Sequence, residues 1–217
     1  MVEDKGSFFV FYDRLQLIQA DRMPKFIEDS DCRVSLYRNC RNTENIATTS
    51  LRPINSRNPK LMEDAIKGKK ARMYFRESVA ASIATLDKII DDYKAEGCKD
   101  IVILTAKTED KSILSSKATN GLYRQRYRFS TCRKFKGLEA DAIILIDVDR
   151  TTFEGDNVLM FYVGTSRARL YLDIIVSISK DGCISILQNT LHSESKVEYP
   201  EQELAAALNA RCSVEPR

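Results

Sequence analysis

The chain reads as an α/β protein, a parallel β-sheet flanked by helices. Three observations predict that class. Residues 100–106 (DIVILTA) and 142–147 (AIILID) are continuous apolar, largely β-branched runs of strand length, the pattern of parallel strands buried on both faces. Residues 78–96 place Val79, Ile83, Leu86, Ile89, Ile90 and Tyr93 at three- and four-residue steps, the period of a helix with one apolar face. Strand-like and helix-like segments then alternate, which implies right-handed crossovers onto one sheet.

Taken in order, residues 7–12 (SFFVFY) have the length and composition of a strand, ending at Asp13. Residues 17–31 show no clear periodicity, and Pro24 with the acidic EDSD marks a connector. Residues 32–36 (CRVSL) alternate as a short strand; Asn42 and Thr43 then cap a helix that begins near Glu44, and Pro53, Asn55 and Pro59 break the segment after it. Residues 60–70 are basic and weakly helical, and 71–75 (ARMYF) form a short strand. In the long helix of 78–96, Ser78 supplies the N-cap and Gly97 the stop. Residues 107–117 are expected as a short helix, 127–131 as a strand, 158–168 as a helix and 170–177 (LYLDIIVS) as a third buried strand. Beyond Lys180 come a short helix at 183–191, a polar break, and EQELAAALNAR, rich in helix formers.

With 217 residues, 43% hydrophobic and 30% charged, the chain can bury the core of one domain with appendages. No apolar run approaches the ~20 residues that span a bilayer. The start, MVEDKGSFF, lacks the basic and apolar regions of a signal peptide. The expected location is therefore cytoplasmic, without a membrane partner. Six cysteines (Cys32, Cys40, Cys98, Cys132, Cys183, Cys212) form no CxxC pair, and the single histidine is His192, which argues against zinc, a disulfide framework and a histidine-based triad. A net charge of +3 neither demands nor excludes nucleic acid, so the placement of the arginines matters more.

No GxxxxGK[ST] occurs. The nearest run, residues 66–70 (IKGKK), lacks the glycine spacing and the following hydroxyl, so the chain cannot cradle a triphosphate unaided. Residues 136–139 (KGLE) stand just before a buried strand. There Gly137 lets the backbone approach a ligand, and Lys136 and Glu139 are expected at the sheet's carboxyl edge, where α/β ligands bind. Arg167 and Arg169, in TSRAR, close the helix expected at 158–168; arginines so placed are commonly solvated or paired with the helix dipole. Arg41 sits where a strand gives way to a helix. Residues 123–128 (YRQRYR) interleave aromatics with arginines, which suits a single strand through stacking and phosphate pairing; on a strand, the same arginines would be its solvated face.

In this order and spacing, these segments resemble the C-terminal half of UvrD/Rep-like superfamily 1 helicases. Asp13-Arg14-Leu15-Gln16 looks like the family's GDxxQ element, motif III, with Tyr12 where glycine is usual. Residues 36–43 (LYRNCRNT) are similar to motif IV, LxxNYRST, with Cys40 replacing tyrosine. Residues 131–139 (TCRKFKGLE) resemble motif V, TxHxxKGLE, with Arg133 in place of histidine, and 161–169 (FYVGTSRAR) resemble motif VI, YVAxSRA. The resemblance spans residues 9–178.

The resemblance implies a RecA-like sheet and three regions: 1–31, a remnant of a first RecA-like domain (strand plus motif III) with a connector; 32–179, the second RecA-like helicase domain; and 180–217, a C-terminal helical tail. Ordinary strand and helix signals between motifs IV and V leave no large inserted subdomain. The family pattern implies that ATP with Mg2+ binds between two such domains, the P-loop lying in an N-terminal partner domain of the same protein. Arg41 and Arg167 would neutralise charge on the γ-phosphate, Gln16 would sense it, and Gly137 and Glu139 would face the nucleotide. Thr131, Arg133 and Lys136 would contact single-stranded DNA. The implied function is the C-terminal motor domain of an ATP-dependent DNA helicase, inactive without its P-loop half. An RNA motor and a non-catalytic module of the same fold stay open, the latter opposed by intact Arg41, Lys136, Glu139 and Arg167. The strand at 7–12, cut from its first-domain sheet, is expected to be displaced, mobile or paired with a foreign edge.

Overall fold

The computed structural model describes residues 25–29, 32, 38–54, 61–116, 127–193 and 198–214. The chain divides into two compact units, residues 1–37 and 38–217. In the first, the described residues form α1 (Lys25–Glu28), a single helical turn. The strand expected at 7–12, Gln16, and all but Cys32 of the strand expected at 32–36 lie outside the described residues.

Among its described residues the second unit holds six strands: β1 (Arg72–Phe75), β2 (Ile101–Thr105), β3 (Arg128–Thr131), β4 (Ala140–Val148), β5 (Ala168–Val176) and β6 (Arg211–Val214). Their order is β3-β2-β4-β5-β1-β6, and every pairing is parallel. Its described helices are α2 (Glu44–Leu51), α3 (Val79–Ala95), α4 (Val158–Thr165), α5 (Lys180–Asn189) and α6 (Pro200–Ala207). Because all strands run one way, their amino ends gather along one edge and their carboxyl ends along the other.

The apolar runs sit where their composition requires. Every residue of β2 is buried, as is every residue of β4 except Asp141. Alternation divides them between two faces. Ile101, Ile103, Ala142, Ile144 and Ile146 pack with Leu86, Ile89, Ile90 and Tyr93 of α3. Val102, Leu104, Ile143 and Leu145, also buried, point the other way, where Leu145 meets α4 at Gly164 and α2 lies against α4. Helix α3 begins as its sequence indicates, with the Ser78 hydroxyl accepting from the Ala81 amide at 3.1 Å, and ends at Gly97 with φ +81°.

Three local expectations change. Of the helix expected at 107–117, the described residues 107–116 form no α-helix and hold one 3-10 turn, Glu109–Lys111. The reason is Asp147, whose carboxylate accepts from the Ser112 hydroxyl at 2.6 Å and the Ile113 amide at 3.0 Å, holding the chain out of a helical path. Residues 61–70 are not helical either. The carbonyls of Ile66 and Lys67 accept from the amides of Glu44 and Asn45, so this segment runs alongside the start of α2 and satisfies donors that a helix leaves unpaired.

The third change concerns the region from 180 on, which is no appended helical tail. After α6, Asn209 adopts φ +58°, the Arg211 amide donates to the Ala71 carbonyl at 2.8 Å, and β6 joins the sheet beside β1. Between Arg41 and Thr131 the described residues form elements of this one unit, without an added subdomain.

Candidate functional site

At the amino edge, the turn before α2 is fixed by two asparagines. The Asn39 side-chain oxygen accepts from the amides of Arg41 at 3.0 Å and Asn42 at 3.1 Å, and its amide group donates to Asn42 at 2.8 Å. Buried Asn42 donates in turn to the carbonyls of Ser166 at 3.0 Å and Ala168 at 2.6 Å. The backbone that carries Arg41 is thereby tied to the turn between α4 and β5. From this turn the Arg41 guanidinium reaches Glu139, Nε to Oε2 2.9 Å. Glu139 also faces Arg169, Nη1 to Oε1 3.5 Å, and Arg169 donates to Asp141 from Nε at 3.0 Å and Nη2 at 2.6 Å.

This location corrects the expectation for residues 136–139. Thr131 ends β3 at the carboxyl edge, and Glu139 immediately precedes β4. In a parallel sheet the next strand must start at the opposite edge, so residues 132–139 cross its full height. Turns such as Phe135 amide to Thr131 carbonyl, 3.0 Å, and the burial of Phe135 fix the path. Glu139 therefore stands at the amino edge, as does Arg41. Gly137 has φ +88°, and no atom lies within 4 Å of where a Cβ would stand; it occupies the exposed part of this turn with Lys136.

Arg167 is placed differently from Arg41. Its residue is only 1% exposed, and its Nε donates to the Val163 carbonyl at 2.9 Å. The Arg167 carbonyl accepts from the Ala140 amide at 3.1 Å, which joins the turn after α4 to the start of β4. Arg169, two residues on and 43% exposed at its side chain, is the arginine of TSRAR that meets Glu139. Only the motif resemblance separates the two in the sequence; in the structure they differ because Arg169 lies inside β5, across from Asp141 in β4.

Thr131 and Arg133 stand at the other edge. They line a cleft of about 340 Å3 with Thr105, Lys107, Thr108, Lys111, Thr151 and Asn157 among its other walls. Thr105, one of the lining residues, donates its hydroxyl to Asp147 at 2.6 Å; Asp147, φ +62°, sits at a break in the β4–β5 register. Lys107 pairs with Asp149 at 2.7 Å. Burial favours the neutral Asp149 carboxyl, but the Lys107 and Thr151 bonds outweigh it and hold the group below its usual range. Cys132 is buried against Gly164, and burial pushes its thiol up to about 12, marking a packing group rather than a nucleophile. Of the run at 123–128 only Tyr127 and Arg128 are described. The Tyr127 hydroxyl accepts from Lys94 at 2.8 Å and Arg128 donates to Asp100 at 2.9 Å, contacts within the domain.

Both motif loops now have a place: one crosses from the cleft to Glu139, and the other closes α4 and opens β5. Residues 127–175 match the family of UvrD-like helicase C-terminal domains. The match runs from just before β3 almost to the end of β5, covering both loops. A solved structure described as the C-terminal domain of a possible DNA helicase from Lactobacillus plantarum WCFS1 is similar in fold, with a TM-score of 0.52, 14% identity, and coverage of 84% of this chain and 100% of that one. No curated protein matches the sequence. The six-stranded parallel sheet with flanking helices is thus a fold shared with that solved domain.

The match with UvrD-like helicase C-terminal domains begins well after Arg41, which meets the matched region at Glu139 and, through its neighbour Asn42, at Ser166 and Ala168. Among the described residues, no group of three or more His, Cys, Asp or Glu side chains could hold a metal ion. None of the described helices is long and apolar enough to cross a membrane.

Proposed function

We propose that this chain is the C-terminal RecA-like motor domain of an ATP-dependent DNA helicase, whose nucleotide site is completed by an N-terminal P-loop domain of the same polypeptide. The observation that carries this reading is the Arg41–Glu139 pair, 2.9 Å apart with side chains 40% and 41% exposed. A guanidinium held on a defined turn with an accessible carboxylate as its anion can exchange that carboxylate for a phosphate oxygen with little desolvation, and its planar fork suits phosphate geometry.

In this reading ATP with Mg2+ supplies the phosphoryl bond whose hydrolysis drives the motor. Arg41 brings fixed positive charge to the γ-phosphate, where charge develops in the transition state. Glu139 and the open backbone at Gly137 face the nucleotide, and Gln16 senses the γ-phosphate on the strength of the motif it resembles. Arg167 is the second arginine on the family pattern; at 1% exposed, its guanidinium meets a phosphate only once the turn after α4 opens.

Single-stranded DNA is read as lying along the carboxyl-edge cleft. Hydroxyls of Thr131, Thr108 and Thr151 and the cations Arg133, Lys107 and Lys111 offer donors and charge to backbone phosphates, with Lys136 contributing from the exposed turn. The crossing loop 131–139 then links the two sites, since one end lines the cleft and the other holds Glu139.

DNA-stimulated ATP hydrolysis by the protein carrying both domains tests this reading. Arg167→Ala should lower turnover by roughly ten-fold or more, and unchanged turnover would remove Arg167 from the site. Competition between DNA and RNA oligonucleotides of one sequence decides the strand chemistry, because ribose 2′-hydroxyls distinguish them.

A further inference from the structure

We propose that Arg169 is a positioning residue that receives the Glu139 carboxylate when Arg41 leaves it for the nucleotide, and so sets how easily the finger is released. This inference rests on the reading of Arg41 given above.

The geometry is that of a carboxylate shared between two arginines. Oε2 of Glu139 is 2.9 Å from Arg41 Nε, while Oε1 is 3.5 Å from Arg169 Nη1. The first is a close ion pair and the second a loose one, because Arg169 is drawn to Asp141, 2.6 Å from Nη2. Four charges thus form a chain, Arg41, Glu139, Arg169, Asp141, alternating in sign. They come from three backbone elements held in fixed register: the turn before α2, the start of β4 and the start of β5.

When Arg41 swings to a phosphate, Glu139 loses its close partner. Left alone, it would be an uncompensated carboxylate near an incoming polyanion. Arg169 stands within a small rotation of Oε1, so it can close the 3.5 Å gap and keep Glu139 neutralised. Asp141 opposes that movement by competing for the same guanidinium. Arg169 therefore promotes release of Arg41, and Asp141 restrains it. Exposed ion pairs of this kind change equilibria by at most about five-fold, which suits an adjustment of a motor rather than an on-off switch.

The chain of alternating charges has a signature that a structural role would not produce. Arg169→Gln should slow single-turnover hydrolysis about two- to five-fold at saturating ATP, because Glu139 then retains Arg41. Asp141→Asn should accelerate it by a comparable factor, because Arg169 is freed to hold Glu139. In a Glu139→Gln background, further change at Arg169 should have no effect on the rate. Single-turnover ATP hydrolysis in the two-domain protein with single-stranded DNA reads all three. Opposite signs for Arg169→Gln and Asp141→Asn, with loss of the Arg169 effect in the Glu139→Gln background, support the proposal. Equal signs, no effect at Arg169, or an Arg169 effect that persists without the Glu139 charge would overturn it. Arg41→Ala is the parallel control: turnover unaffected by that change removes the underlying functional reading, whereas loss of turnover with the wrong pattern at Arg169 removes this inference alone.

Discussion

The side-chain amide of Asn42 donates to the carbonyl of Ala168 at 2.6 Å, joining two segments that lie far apart in sequence and closing the turn that presents Arg41. A second bond to the Ser166 carbonyl, 3.0 Å, uses the remaining hydrogen of the same group. Asn42→Ala would leave two buried carbonyls without that donor, so the loss should be about 1–3 kcal/mol. Urea unfolding should show a lower midpoint with an unchanged slope. Asn42→Asp should cost more, since a carboxylate would face both carbonyls.

A second prediction concerns the contact between α4 and the crossing loop. A Cβ at Gly164 would come within 2.7 Å of Cys132 Sγ and 3.0 Å of Leu145 Cδ1. Gly164→Ala should destabilise the domain by about 1–3 kcal/mol through overpacking. Adding Cys132→Ala removes the nearer atom, so the double variant should recover part of that loss. Thermal melts of the two singles and the double give the coupling; strict additivity would mean that the contact is absent.

The Lys107–Asp149 pair makes a pH prediction. The Asp149 carboxyl is held below its usual range in the folded domain, so its contribution to stability is present above the unfolded-state value of about 3.9 and is lost as pH falls through the folded value. Asp149→Asn removes that dependence. The stability gap between wild type and variant should be constant above about pH 5 and shrink below about pH 4. Urea midpoints measured across that range check it, and a gap that widened on acidification would have the wrong sign.

Much of the fold was legible because burial leaves a strong mark on composition. β2 and β4 are covered on both faces and read as unbroken apolar runs, and α3 announces itself by period, N-cap and terminal glycine. β6 left no such mark: Arg211, Cys212, Ser213 and Val214 pair on one side only, at a sheet edge, and come directly after a helix-forming run. The helix expected at 107–117 failed because its sequence is helix-compatible but Asp147, distant in the chain, captures Ser112 and Ile113.

The candidate residues can be named from the sequence, but their geometry cannot. Arg41 and Glu139 stand far apart in sequence, and the edge on which they meet depends on how residues 132–139 cross the sheet. Only the motif resemblance separates Arg167 from Arg169 in TSRAR. Their fates differ because one belongs to the turn after α4, with its guanidinium turned inward, and the other lies in β5 beside Asp141. Asn42 carries no chemical signal beyond its place before a helix, and only the fold reveals that it holds the Arg41 turn to the start of β5.

The role proposed for Arg41 is tested most directly by DNA-stimulated ATP turnover of the protein carrying both domains, with Arg41→Ala. Its partly exposed side chain makes this change easy on the fold, and an unaltered melting temperature confirms that. Turnover should fall about 10³-fold, the scale of an arginine that stabilises phosphoryl-transfer charge, with the domain intact. Turnover within about two-fold of wild type would contradict that role.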